Sequence, residues 1–295
     1  MINIGMKIPQ AEVYWHLTDQ CNIGCDFCPT RYRANTNKRT TDEYLSVISK
    51  LQDSRYLHAE SIKWKINGGE PLQFPNLTQL LKLMKSRPSY VRLDTSGGDS
   101  WFDLIGTQEY VDHYKVTSHK WQNESVLNFI IDFCKEHDKK LSIIVPLNPG
   151  QIFEDRAKVK ALTDQGLKAK ESILYNNNQH GDIWSGYSTV DINRIYNRPD
   201  DWVPEPVKYE PVYVDQTKPP IDDTPSYTGQ GCYSGVDYIY ISHKGFASGS
   251  NCGGRDIGNV FEEGWQAPAG PFPCCVNYCR SSDDRKKLRV GVKLG

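Results

Sequence analysis

The chain has 295 residues, 38% of them apolar, with a formal net charge of −1 and a mean hydropathy of −0.60. That length suits one large domain, or one domain with a small appendage. The near-zero charge excludes a chain-wide electrostatic nucleic-acid binder, and no apolar run approaches the ~20 residues that span a bilayer.

Short β-rich runs alternate with helical patterns from Glu12 to about Tyr175. Strands are predicted at Glu12–Thr18, Ile62–Asn67, Tyr90–Thr95, Asp112–Thr117, Leu141–Leu147 and Leu167–Leu174. Helices are predicted at Thr41–Gln52, Pro75–Lys85, Ser100–Ile105, Asn123–His137 and Ile152–Asp164. The first is opened by Thr40 or Thr41 as a cap with Glu43 following. In the second, Leu77, Leu80, Leu81 and Met84 share one face. Such alternation implies a parallel sheet with right-handed crossovers. Six repeats predict a partial (β/α)6 TIM-like barrel, an α/β fold, with its chemistry at the C-terminal ends of the strands. Arg198–Gly229 carries seven prolines and reads as an extended linker or a draped loop. The expected division is a barrel over 1–197, a Pro-rich linker over 198–230, and a small cysteine-rich β-hairpin/helix domain over 231–295.

Three cysteines follow the first strand as Cys21-x3-Cys25-x2-Cys28. Nine cysteines in a chain whose first ten residues show no basic-then-apolar signal pattern read as metal ligands rather than disulfides. The expected compartment is therefore the reducing cytoplasm. Iron–sulfur clusters usually take four thiolates, so a loop with three leaves one iron open to a ligand. Structural zinc sites instead use closed sets of four. Gly68-Gly69-Glu70-Pro71 follows the second strand. Its glycines allow close backbone approach, and Glu70 brings an acceptor and a negative charge.

The apolar run Val13–Leu17, the cysteine triad and the Gly68–Pro71 motif together resemble the radical S-adenosylmethionine (SAM) superfamily. The resemblance covers most of the chain. It implies a 4Fe–4S cluster on Cys21, Cys25 and Cys28, with SAM chelating the open iron. Reductive cleavage of SAM then gives a 5′-deoxyadenosyl radical that abstracts a hydrogen atom. Phe27 would pack beside the adenine, and Gly68, Gly69, Glu70 and Pro71 would clasp the SAM amino group. Thr95 and Ser96 after the third strand, Ser118 after the fourth and Asn148 after the fifth would be further SAM contacts. Each of these four reads equally well as a loop residue bonding its own backbone.

Cys232, Cys252, Cys274, Cys275 and Cys279 surround the β-like run Val236–Ile241, Gly245 and Asp256–Val260. This pattern resembles the SPASM/Twitch extensions of radical SAM enzymes. It implies one auxiliary 4Fe–4S cluster on Cys232, Cys252, Cys275 and Cys279, with Cys274 the alternative to Cys275. A zinc site on the same thiolates is the competing reading. Cys134 lies within a helical pattern and reads as a buried small apolar residue. His16 is expected on the first strand facing the barrel interior, and His119 near any bound substrate.

A small-molecule or nucleotide substrate is favoured over a peptide, because no leader-peptide recognition domain is visible before the barrel. A peptide-modifying enzyme, of the ribosomal-peptide or maturase type, is the alternative within the class. A non-catalytic zinc- or cluster-binding module is the alternative outside it. An electron donor such as flavodoxin or ferredoxin, no membrane partner and a monomeric state complete the expectation.

Overall fold

A computed structural model describes residues 10–28, 39–53, 59–120, 122–175, 183–202, 231–232, 235–249, 256–268 and 272–273. Six strands lie parallel and in sequence order: β1 (Ala11–His16), β2 (Ile62–Asn67), β3 (Ser89–Thr95), β4 (His113–Thr117), β5 (Lys140–Pro146) and β6 (Ala169–Ser172). The helices are α1 (Thr41–Gln52), α2 (Leu77–Met84), α3 (Glu124–Glu136), α4 (Ile152–Asp164) and α5 (Thr189–Ile195). This is the α/β architecture expected from the alternating pattern.

Local chemistry explains the element ends. Thr40 accepts the Glu43 amide proton and Glu43 returns a bond to the Thr40 amide, so α1 begins with a closed capping box. The same device starts α5, where Ser188 and Asp191 bond reciprocally. The predicted helix at Ser100–Ile105 is instead a 3-10 segment over Gly98–Leu104. The sixth strand shortens to Ala169–Ser172, with Lys170 and Glu171 exposed, as suits the edge of a sheet.

Strand alternation separates two faces. Val13 and Trp15 on β1 are fully buried, and the Trp15 ring stacks on Tyr44 of α1 with centroids 5.7 Å apart. Trp64, Ile66, Val91, Leu93, Tyr114 and Val116 continue this outer layer under the helices. Burying each large side chain contributes about 1.5–3 kcal/mol, an upper estimate. Glu12, Tyr14 and His16, one residue out of phase, line the inner face.

The C-terminal hairpin is present, as β8 (Tyr238–Ile241) and β9 (Phe246–Ser248). It continues the sheet of the barrel, because β8 pairs in parallel with β1 from Glu12↔Tyr238 to Trp15↔Ile241. With β10 (Asp256–Asn259) the sheet order becomes β10-β9-β8-β1-β2-β3-β4-β5-β6. Ile239, Ile241, Ala247, Val260 and Trp265 share one core cluster with β1 to β5. Phe261 packs edge-on against Tyr44 at 5.2 Å, and Lys50 donates to the Glu262 carbonyl. The two-residue strands β7 (Gly231–Cys232) and β11 (Phe272–Pro273) pair with each other. Most of the Pro-rich segment lies outside the described residues, as do Cys252, Cys274, Cys275 and Cys279. No helix among the described residues is long and apolar enough to cross a membrane.

Candidate active site

The cysteine loop leaves the C-terminal end of β1 and is held against the end of β2 by backbone. Leu17 N donates to the Asn67 carbonyl, Gly69 N to Thr18 and Glu70 N to Gln20, each at 2.7 Å. Gly68 and Gly69 are required here. A Cβ on Gly68 would collide with the Thr18 carbonyl oxygen, and one on Gly69 with that of Gln20. The glycine pair thus lets two chain segments meet backbone to backbone.

Cys25 is buried, and Cys21 and Cys28 are partly exposed. Cys28 N bonds the Cys25 carbonyl at 3.0 Å, and Ile23 N donates to Cys21 Sγ at 3.5 Å. Burial pushes the Cys25 thiol up to about 12, and the neighbouring Cys28 and Cys21 push it the same way. Burial likewise raises Cys21. The Cys21 and Cys25 thiols therefore favour ionisation when a cation compensates them. Among the described residues no three His, Cys, Asp or Glu converge as one metal ion requires. Three thiols on one short loop, with no fourth Cys on it, are a donor set of the kind that iron–sulfur clusters take. The donor set therefore fits the group that the resemblance implies.

Glu70 has a structural role that the motif did not announce. It is fully buried, and its carboxylate accepts four bonds from the chain: Thr95 Oγ1 at 2.6 Å, Leu72 N at 3.1 Å, Ser96 Oγ at 2.6 Å and Ser96 N at 2.9 Å. A carboxylate offers about four lone-pair directions, and all are occupied. Glu70 is a clasp that locks the end of β2 to the end of β3. Pro71 opens the buried 3-10 turn Pro71–Gln73 behind it. Thr95 and Ser96 are drawn into the same clasp, and Thr95 Oγ1 also accepts from Gly97 N at 2.9 Å.

The other expected contacts differ among themselves. Ser118, above β4, is 1% exposed, and its Oγ has no hydrogen-bond partner among the described residues. Such a hydroxyl is costly unless a ligand or water completes it. Asn148, above β5, donates from Nδ2 to Asp155 Oδ2 and to the Pro146 carbonyl, which fixes its orientation. Phe27 stacks near His119, with centroids 6.0 Å apart, and meets the edge of Trp184 at 5.7 Å. His119 lies 3.9 Å from Cys25 Sγ through Nδ1, and burial holds its imidazole at about 4. Cys232 lies on β7 through its backbone, and Cys134 is buried in α3 as expected.

Below this rim the inner strand faces carry ionic side chains that the motifs did not announce. Arg92 holds Asp94 through two bonds of 2.6 and 3.0 Å, and Lys115 joins the same carboxylate at 3.1 Å. Lys65 bonds Glu12 closely, with Lys63 at 3.6 Å from the same carboxylate. Asn67 donates to Tyr14 Oη at 2.6 Å, and Tyr14 stacks on Tyr240 of β8. His16 meets His243 of the hairpin turn at 5.6 Å, while His243 Nε2 lies 3.7 Å from Asp19 Oδ2. The signal for this inner face was the alternation of polar residues within β2, β3 and β4.

No family model and no curated protein matches the sequence. Solved structures match the fold. A polyhistidine-tagged anSMEcpe structure with bound AdoMet aligns with a TM-score of 0.56 and 12% identity, covering 86% of this chain and 79% of its own. Native anSMEcpe with bound AdoMet and the Kp18Cys peptide aligns at 0.55, also at 12% identity, over 86% and 78%. At this identity the likeness is one of fold.

Proposed function

From the radical SAM fold of this chain, we propose that it is an enzyme that cleaves SAM reductively and abstracts a hydrogen atom from a bound substrate. The observation that carries this reading is the placement of the Cys21, Cys25 and Cys28 thiols at the C-terminal end of β1, beside the Gly68–Glu70 turn. Cys21, Cys25 and Cys28 would hold a 4Fe–4S cluster, and SAM bound to it supplies a hydrogen-abstracting carbon radical. The chain's part is to position and to exclude water. Gly68 and Gly69 bring backbone against the cysteine loop, and Glu70 makes that junction rigid through Thr95 and Ser96. The Gly68–Pro71 turn is the proposed clasp for the SAM ammonium. Ser118 Oγ, without a partner among the described residues, is the proposed contact for a SAM hydroxyl or carboxylate. Phe27 presents a ring for the adenine.

The finer reading assigns a small-molecule or nucleotide substrate, with one auxiliary 4Fe–4S cluster on Cys232, Cys252, Cys275 and Cys279 in residues 231–295. A reduced flavodoxin or ferredoxin would supply the electron. The peptide-modifying alternative is favoured by one observation, an anSMEcpe structure of like fold with bound AdoMet and the Kp18Cys peptide.

Anaerobic reconstitution with a strong reductant tests the proposal. Formation of 5′-deoxyadenosine from SAM, lost in the Cys21/Cys25/Cys28→Ala variant, is expected. A fully loaded protein that yields none with any reductant overturns it. About eight irons per chain, falling to about four in that variant, are expected for two 4Fe–4S clusters. Four irons with retained zinc would remove the auxiliary cluster from the reading.

A further inference from the structure

We propose that the barrel lumen binds its substrate through an anionic oxygen group, a carboxylate or a phosphate, held by Lys115 and Arg92. This rests on the SAM-cleaving reading above and names the class of molecule it would act on.

The inner face carries two ionic groups of the same design. In each, one carboxylate is shared by two cations: Asp94 by Arg92 and Lys115, and Glu12 by Lys65 and Lys63. Among the described residues each group therefore holds one more cation than carboxylate. In each, one cation is also more exposed than its carboxylate. The Lys115 side chain is 33% accessible against 14% for Asp94, and Lys63 is 32% accessible against 16% for Glu12. The surplus charge therefore sits on the more exposed partner of each group.

Donors remain for a ligand. Lys115 places one of its three N–H groups on Asp94, and Arg92 places two of its five there. Three lysines and an arginine against two carboxylates in a partly desolvated space are costly without a further anion. The surroundings agree. Burial lowers the Lys65 amine, and burial together with Arg92, Lys168 and Lys140 holds His113 at about 4. His113 is thus neutral and adds no counter-charge of either sign.

Strand register places the upper group beside the candidate site. Asp94 and Lys115 are direct partners across β3 and β4, and Lys115 is opposite Ser142 on β5. Asp94 immediately precedes Thr95 of the Glu70 clasp. Lys115 lies three residues, about 10 Å, below Ser118. A substrate anchored there by one anionic group would extend its carbon skeleton toward the rim. An Arg and Lys pair suits a planar or tetrahedral oxyanion.

Titration calorimetry on the anaerobic, cluster-loaded, SAM-bound protein at low salt tests this, with inorganic phosphate and glutarate as separate probes. One saturable site is expected for at least one probe, and the two arms tell phosphate from carboxylate recognition. Lys115→Met should weaken that probe at least tenfold. Asp94→Asn, which frees both cations, should tighten it several-fold. Should Asp94→Asn not fold, Glu12→Gln must tighten binding in the same direction. The exposed Lys160→Met serves as control. Absence of a saturable site for both probes, or a shift of equal sign for the lysine and carboxylate variants, overturns the inference. So does a Lys115→Met variant that loses SAM affinity while keeping anion uptake. Substrate-free 5′-deoxyadenosine formation is measured on the same samples. If it persists while anion binding fails, only this inference falls; if it is absent while anions bind, the SAM-cleaving reading falls.

Discussion

Thr95 Oγ1 donates to Glu70 Oε1 at 2.6 Å, and this bond ties the end of β3 to the turn after β2. It makes the motif glutamate a structural anchor for the rim on which the cysteine loop rests. Ser96 completes the anchor from the other oxygen.

Replacing that carboxylate should therefore cost stability before it costs any ligand contact. Glu70→Gln turns an amide NH2 toward donors that need an acceptor. We expect a loss of roughly 2–3 kcal/mol, read by urea denaturation under anaerobic conditions. Thr95→Val should cost about 1 kcal/mol, and the double variant less than the sum of the two. Strict additivity would show that the two groups do not interact.

The glycine pair makes a sharper prediction. Gly69→Ala puts a methyl group into the Gln20 carbonyl, so the cysteine loop must move. Iron content after reconstitution should fall to less than half that of the wild type. Gly150→Ala, at a positive φ of 72° with open space around it, should cost only about 1 kcal/mol and retain its iron. Equal iron loading in both variants would contradict this account.

Ser118 separates ligand binding from folding. Its hydroxyl is buried without a partner among the described residues. Ser118→Ala should leave stability unchanged or slightly raised, because no internal bond is lost. SAM affinity should weaken about five- to tenfold, the equivalent of roughly 1–1.4 kcal/mol. An unchanged dissociation constant would remove Ser118 from the binding site.

His113 predicts the acid side of the stability profile. Its folded value of about 4 lies below the ordinary 6.5, chiefly through burial and then Arg92. The unfolded chain then binds more protons between these values, so the stability His113 contributes is complete above about pH 6.5. It is lost progressively as the pH falls toward 4. The wild type should lose more stability between pH 7 and pH 5 than His113→Gln does, measured by denaturant midpoints. Identical losses would refute the assignment.

Much of the fold was legible in the chain. The bounds of α1, β2 and α4 agree with the periodic pattern and its caps, because local hydrophobic spacing and capping chemistry determine them. The α5 helix was not anticipated: its short apolar pattern gives little periodic signal, and Ser188 and Asp191 show as a capping box only in the structure. The cysteine loop and the Gly68–Pro71 turn did stand out: each is a short contiguous segment whose composition is unusual.

The sequence by itself thus determined the alternating strand and helix order, and the position of the three thiols just after the first strand. Tertiary structure alone decided what Glu70 bonds, where the hairpin docks and how the inner charges group. Glu70 meets Thr95 and Ser96 only because β2 and β3 lie side by side. Tyr240 reaches Tyr14 only because β8 adds to the free edge of β1. Asp94 and Lys115 become partners through the register of β3 and β4. Such contacts join residues distant in sequence. The sheet's hydrogen-bond register fixes them, and no local periodicity encodes which strand will be the neighbour.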